Sequence, residues 1–227
     1  MDGDGQVTVR VAERIGDIDA AEWDACAGPE NPFLCHAFLS ALEASGSVSP
    51  DTGWLPQHLI AEGDGGKVLG VVPAYLKNHS QGEYVFDHGW ADAYMKAGGR
   101  YYPKLQIAVP FTPATGRRIL LKPGVDPDLA IQLAGASLTL AQQRRASSVH
   151  ITFPTEDEWT RLGAAGWLRR IGMQYHWTND GYRSFDDFLE ALASRKRKTL
   201  RKERREVAES GIRVRAITGP EIREEHW

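Results

Sequence analysis

The chain has 227 residues, 42% hydrophobic and 25% charged, a globular balance that excludes a disordered chain. At that length about 70% of the unfolded surface can be buried without disulfides. Its two cysteines, Cys26 and Cys35, make neither a disulfide scaffold nor a four-cysteine zinc site. No apolar run approaches ~20 residues, and the N-terminus lacks a basic-then-apolar signal. A cytoplasmic protein without an integral membrane segment is expected. The net charge of −3 is unevenly spread: residues 195–206, RKRKTLRKERRE, carry eight cations and two acids, net +6, leaving −9 elsewhere. One basic element on a mildly acidic body points to a local polyanion contact.

In chain order, Gln6–Val11 alternates at period two and predicts a strand. Helices are predicted within Asp17–Ala27, stopped by Gly28-Pro29, and over His36–Ala44. His58–Glu62 and Lys67–Leu76 read as strands around the Gly63-Asp64-Gly65-Gly66 turn. Glu83–Asp87, Leu105–Val109 and Arg118–Leu121 read as three more. Asp126-Pro127-Asp128 starts a helix that runs to Arg145, with Asp126 as N-cap. It is apolar nearly all round, so it should be mostly buried. Val149–Phe153 follows as a strand fed by a crossover helix. Thr155 to Glu158 opens another helix ending near Gly163–Gly166, and Arg170–Thr178 reads as a strand. Strands first, then helix–strand–helix–strand, predict an α/β fold with a mixed sheet and flanking helices.

The last 44 residues look like the opening of a second body. Ser184 with Asp187 resembles a capping box, and one long helix to about Ser210 is expected. Gly211 ends it, Ile212–Ile217 reads as a strand, and Pro220 begins a helix cut off at Trp227. The expected division is therefore 1–183 and 184–227, with the chain a fragment of a longer protein.

Two constellations can carry chemistry. On a helix, Arg197, Lys198, Arg201, Lys202, Arg204 and Arg205 share one face, with Phe188, Leu192, Leu200 and Val207 opposite. Such a face suits phosphate groups, though a solvated helix exterior explains it too. The segment 79–115 is dense in aromatic and polar groups, as a binding cleft needs. Glu83 and Asp87, four apart, would point to one side of a strand. Solvated carboxylates beside sheet-covering aromatics are the plainer reading. Cys35-His36 is no nucleophile–base pair, because sequence neighbours usually point apart. The histidines show no metal-ligand spacing. The turn Phe111–Arg118, PFTPATGRR with its preceding proline, could cradle phosphate through Thr112, Thr115 and Gly116. It lacks the glycine density of a Walker loop.

The blocks NPFLCHAFLSALEASGSV, PAYLKNHSQGEYVFDHGWADAY, YYPKLQIAVPFTPATGRRIL, VHITFPTEDEW and SFDDFLEALASRKRKTLRKERR together resemble the FemAB-like family of peptidoglycan biosynthesis. The resemblance spans about residues 31–217. It implies a GNAT-like N-acyltransferase fold, a first domain in 1–183, and a long basic helix at the start of a second. It also implies a donor that is acyl-CoA or aminoacyl-tRNA, no metal, and a small-molecule or lipid-linked amine acceptor. Further partners would be tRNA and the missing C-terminal domain of its own chain.

The expected activity is transfer of an acyl or aminoacyl group to a primary amine, in cell-wall or envelope biosynthesis. Amide formation needs a base, oxyanion donors and an acid. Glu83 or Asp87 is the candidate base, His79 the alternative, and Tyr101 or Tyr102 the acid or ring wall. Arg197, Lys198, Arg201 and Arg204 would hold donor phosphates. The alternative is a non-catalytic half that binds the acceptor or RNA. A domain kept only for packing is the third reading.

Overall fold

The computed structural model describes residues 7–173 and 175–226. Gln6 of the first expected strand, Gln174 of the 170–178 strand, and Trp227 lie outside these. The chain divides into two compact units, Met1–Arg170 and Ile171–Trp227.

The first unit begins with β1 (Thr8–Ala12), α1 (Ala20–Ala27), α2 (His36–Ala44), β2 (Trp54–Pro56) and β3 (His58–Glu62). It continues through β4 (Val68–Val72), β5 (Ala74–Lys77), α3 (His88–Lys96), β6 (Lys104–Ile107) and β7 (Leu120–Leu121). It ends with α4 (Leu129–Gln143), β8 (Val149–Ile151) and α5 (Glu156–Ala164). The fold is α/β with mixed pairing and flanking helices, as expected, but the strands form two sheets. One has the order β1-β3-β4-β7, the other β2-β5-β6-β8.

The expected continuous strand 67–76 is split between the sheets at Pro73, which has no N–H for the ladder. On its far side Ala74 N–H donates to His58 Nδ1 at 3.3 Å, a side chain standing where a carbonyl would be. Pairing before residue 122 is antiparallel throughout, whereas β6 and β8 are parallel. The crossover to β8 is made by α4, as the sequence predicts.

Register gives the second sheet two unlike faces. Leu76, Leu105 and Val149 form one cross-strand row, and Ala74, Ile107 and Ile151 the next. Buried or partly buried members of these rows pack on Leu129, Leu133, Ala134 and Leu140 of α4. The opposite face carries Lys77 beside Lys104, then Tyr75, Gln106 and His150. A polar row inside a sheet is uncommon, since paired strands normally bury apolar side chains on both faces when helices cover them.

Several expectations are corrected. Residues 83–87 form no strand: Tyr84 has φ 56°, and Asp87 precedes α3, a helix that period-two reading hid. Arg118–Leu121 is a strand only at Leu120–Leu121. The α4 helix starts at Leu129, and Asp126 Oδ1 accepts the Asp128 N–H one turn ahead of it. Leu138 on α4 is 45% exposed, so the helix buries one face and not its whole circumference. The helix predicted to open at Thr155 is present as α5, and Thr155 caps it in a full capping box with Glu158.

The second unit contains α6 (Phe185–Ala191) and α7 (Ser194–Glu209), in place of one long helix. Extended backbone at Leu192 and Ala193 breaks the two apart, so the facial phase assumed across 185–207 does not hold. Ser184 caps α6 by accepting the Asp187 N–H, while the Asp187 carboxylate accepts from Arg183 N–H and leaves the box open. The described residues of 170–178 and of 212–217 form no strand, and 3-10 turns at Gly219–Glu221 and Glu224–His226 replace the last expected helix. Isolated extended segments have no ladder partner to hold them as strands.

Candidate functional site

The polar face of the second sheet is organised by Lys104. Its side chain is fully buried, and Nζ donates to Glu83 Oε2 at 2.7 Å, Asp87 Oδ2 at 2.7 Å and Ser80 Oγ at 2.8 Å. That uses all three N–H groups of the ammonium. Tyr101 O–H donates to the same Asp87 Oδ2 at 2.8 Å, and the Tyr102 hydroxyl meets Ser80 Oγ at 2.7 Å. The structure thus brings together Glu83, Asp87, Tyr101 and Tyr102 through a lysine that the sequence reading did not single out. The convergence comes from the 80–87 loop folding over β6, not from a shared strand face.

Charge states follow from these contacts. Burial pushes Asp87 up, but the bonds from Lys104, Ser80 and Tyr101 outweigh it and hold the carboxyl down at about 2. Burial raises Glu83, opposed by Lys104. Burial and then the bond to Asp87 push the Tyr101 phenol well above its usual range. On the neighbouring strand Lys77 donates to Gln81 O at 3.1 Å and lies 3.5 Å over the Trp54 ring. Burial pulls it down to about 7. His79 stands apart from this group: its Nδ1 accepts the Gln81 N–H, and it lines an open groove with Trp54, Asp51 and Phe111. Burial and then Lys77 lower its basicity.

In front of the network lies a cavity of about 490 Å³. Tyr101 and His150 form its floor, and Trp90, Tyr94, Trp159 and Trp167 contribute aromatic wall. His150 Nε2 and Ser148 Oγ are 2.8 Å apart. Burial, then the charge of Lys104, lower the His150 imidazole to about 4, so it is neutral at pH 7. Neither Glu83 nor Asp87 reaches the cavity wall. The sequence reading missed His150. Its signal was the alternation of His150 and Thr152 against Val149 and Ile151 along the predicted strand.

The phosphate-cradling turn is tied up from inside. Arg118, fully buried, donates to Ala114 O, Gly116 O, Arg117 O and Thr152 O. Gly116 N–H donates to Phe153 O, and Thr112 O–H to Pro110 O. Thr115 is exposed. The N-terminus of α4 is equally occupied: the N–H groups of Asp128, Leu129, Ala130 and Ile131 all bond within the segment 126–128. Neither place offers the row of open amides that grips a pyrophosphate.

In the second unit Arg197 is half-buried, and Lys198, Arg201 and Arg204 are exposed on α7. Lys202 and Arg205 pair with Glu206 and Glu209, and Arg204 lies 4.1 Å over the Phe185 ring. Among the described residues no carboxylate is within ion-pair distance of Arg197, Lys198 or Arg201. Cys35 and His36 turn to different partners, Pro32 O and Ile15 O, and burial pushes Cys26 up to about 11. Among the described residues no helix is long and apolar enough to cross a membrane, and no cluster of three His, Cys, Asp or Glu could hold a metal.

Fold and site together define an α/β protein with a cavity lined along β8, the strand that pairs in parallel with β6. The chain belongs to the FemAB-like family, described as peptidoglycan biosynthesis/recognition, whose model matches residues 14–227. No curated protein matches it. Among solved structures it is similar to the aminoglycoside N-acetyltransferase AAC(6')-Iy in complex with CoA, at 13% identity, 79% of this chain, 99% of that one and a TM-score of 0.47. It is also similar to aminoglycoside 6'-N-acetyltransferase AAC(6')-Ih from Acinetobacter baumannii, at 13% identity, 78% and 100% coverage and a TM-score of 0.44. A ribosomal-protein-alanine N-acetyltransferase from Brucella melitensis biovar Abortus 2308 gives 14%, 76%, 99% and 0.44. Likenesses this distant carry no functional weight.

Proposed function

We propose that this chain serves N-acyl transfer to an amine of a peptidoglycan precursor, the amine being held in the cavity over His150. The observation that carries the reading is a neutral imidazole on the wall of an aromatic cavity, 2.8 Å from a serine hydroxyl. The amine nitrogen attacks the carbonyl carbon of an activated ester or thioester, and the C–O or C–S bond breaks as the C–N bond forms. His150 accepts the amine proton, and that proton then passes to the leaving oxygen or sulfur. The role of base thus moves from Glu83, Asp87 and His79 to His150. Glu83 and Asp87 hold Lys104, and Asp87 fixes the phenol of Tyr101 at the cavity floor. The donor is an acyl-CoA or an aminoacyl-tRNA, and Arg197, Lys198 and Arg201 are the candidates to bind its phosphates.

The test incubates the protein with each donor and a lysine-bearing stem peptide, and reads amide product by mass spectrometry. Product with one donor, lost in His150→Gln with the fold intact, is the expected result. No product with either donor, or product unchanged in His150→Gln, overturns the reading.

One observation favours the second reading, in which this half binds acceptor or RNA without catalysing transfer. The amides at Gly116 and at the start of α4 are already bonded within the chain. Acceptor binding without turnover by either donor would select it.

A further inference from the structure

The charge on the cavity wall has one sign. Among the lining residues Arg169 and Arg170 are cationic, and no Asp or Glu lines the space. Both guanidiniums are seated on ring faces. Arg169 lies 4.4 Å over Trp159 and donates to Thr160 O at 2.9 Å. Arg170 lies 4.9 Å over Trp90 and donates to Phe86 O at 3.3 Å. A guanidinium carries five N–H donors in a planar fork. One bond to a carbonyl and one stacked face fix each plane and leave donors over for a ligand.

A glycine makes room for this arrangement. Gly163 lies in α5, where glycine is roughly 1 kcal/mol worse than alanine. Its φ is not positive, so backbone conformation does not call for it. A Cβ at 163 would collide with Nε, Cζ and Nη2 of Arg169. The missing side chain is what lets the guanidinium lie against the helix.

We infer that Arg169 and Arg170 form an oxyanion clamp, so that the ligand of this cavity carries a carboxylate or phosphate, and polycationic amines are rejected. That the same ligand bears the reacting amine rests on the function proposed above; the clamp itself does not. A polycation would meet two fixed positive charges with no counter-charge on the wall, whereas an oxyanion would find charge-assisted donors.

The test is binding to the full chain by calorimetry, without any donor. The probes are the tripeptide Ala-γ-D-Glu-Lys, its form with both carboxylates amidated, inorganic phosphate, and the polycation kanamycin. The tripeptide should bind at least ten times more tightly than its diamide, and kanamycin should not bind. Arg169→Gln and Arg170→Gln should each lose about ten- to a hundredfold. Gly163→Ala keeps both charges and favours the helix, yet should lose affinity as Arg169→Gln does, with no fall in melting temperature. Phosphate that binds and competes would point to a phosphate group, and phosphate that does not, alongside tripeptide preference, to a carboxylate. Equal affinity for tripeptide and diamide with no phosphate binding, or a preference for kanamycin, overturns the clamp. Unchanged affinity in Gly163→Ala overturns the seating of Arg169. Intact discrimination with no acyl transfer would leave the clamp standing and remove only the transfer reading.

Discussion

Lys77 and Lys104 are direct cross-strand partners on β5 and β6, both fully buried, and they are satisfied in opposite ways. Lys104 gives its three N–H groups to two carboxylates and a hydroxyl, whereas Lys77 has one carbonyl and the face of Trp54. Two like charges on one buried rung repel, so the carboxylates of the 80–87 loop are what let this rung exist. The network therefore couples the loop to the sheet and sets the floor of the cavity in front of it.

Removing the Lys104 ammonium should be severe. Lys104→Met leaves Glu83 and Asp87 buried without their shared cation, a loss of about 3–5 kcal/mol. Replacing all three, as Lys104→Met with Glu83→Gln and Asp87→Asn, should recover most of it. Urea denaturation measures both proteins. A loss below about 1 kcal/mol in the single variant would mean that the carboxylates are solvated instead.

Lys77 should make stability depend on alkaline pH. The free side chain titrates near 10.5, the folded one at about 7. Between those values the unfolded chain binds the additional proton, so stability rises with pH, by at most about 1.4 kcal/mol per unit. Below pH 7 the whole penalty is present. Lys77→Met should be the more stable protein at pH 6–7 and show a flatter profile from 7 to 10. Parallel melting-temperature profiles for the two proteins would count against this.

His150 acts on the acid side. Its imidazole goes from 6.5 when free to about 4 in the fold. The unfolded chain then binds more protons over that interval, and stability is lost as pH falls from 6.5 to 4. His150→Gln should remove that part of the acid slope. By NMR the ring should stay neutral at pH 5.5, and a midpoint near 6.5 would contradict the burial that the cavity implies.

Arg118 should resist its conservative replacement. Its guanidinium spans carbonyls of Ala114, Gly116, Arg117 and Thr152, which a single ammonium cannot reach together. Arg118→Lys should lose about 2 kcal/mol or more, as buried carbonyls go unpaired, and amide exchange at Gly116 should quicken. Unchanged exchange there would show that the turn holds itself.

The sequence carried the element order and the crossover well, because both rest on local signals. The helix opening at Thr155–Glu158 and the strand at Val149 are set by residues a few positions apart, whereas the helix start read at Pro127 falls at Leu129. Site membership was half legible: Glu83, Asp87, Tyr101 and Tyr102 do meet, but through Lys104, whose partners come from 17 and 21 residues earlier. Nothing local announces such a bond. His150 and Arg169 were missed because one needs the sheet register and the other the space above Gly163. The helix break at Leu192-Ala193 was hidden because both residues are good helix formers, so propensity favoured continuing.

The basic helix gives the last prediction, and the break changes its design. Arg204 stacks on Phe185, so reversing it would disturb the junction of α6 and α7 as well as any ligand. Arg197, Lys198 and Arg201 have no ion-pair partner among the described residues, and α7 holds them within two turns of one another. Reversing these three to Glu should weaken a polyanionic donor more than a hundredfold, at about 1.5–3 kcal/mol for each charge-assisted bond lost. Exposed charges such as Lys198 and Arg201 contribute roughly 0–1 kcal/mol each to folding, and Arg197 is only half-buried, so the melting temperature should move little. Affinity is measured for acyl-CoA and for aminoacyl-tRNA at two salt concentrations. If RNA binding alone falls, and wild-type RNA binding weakens steeply with salt, the donor at this helix is the tRNA. If both affinities are unchanged with the fold intact, α7 is a solvated exterior and holds no donor.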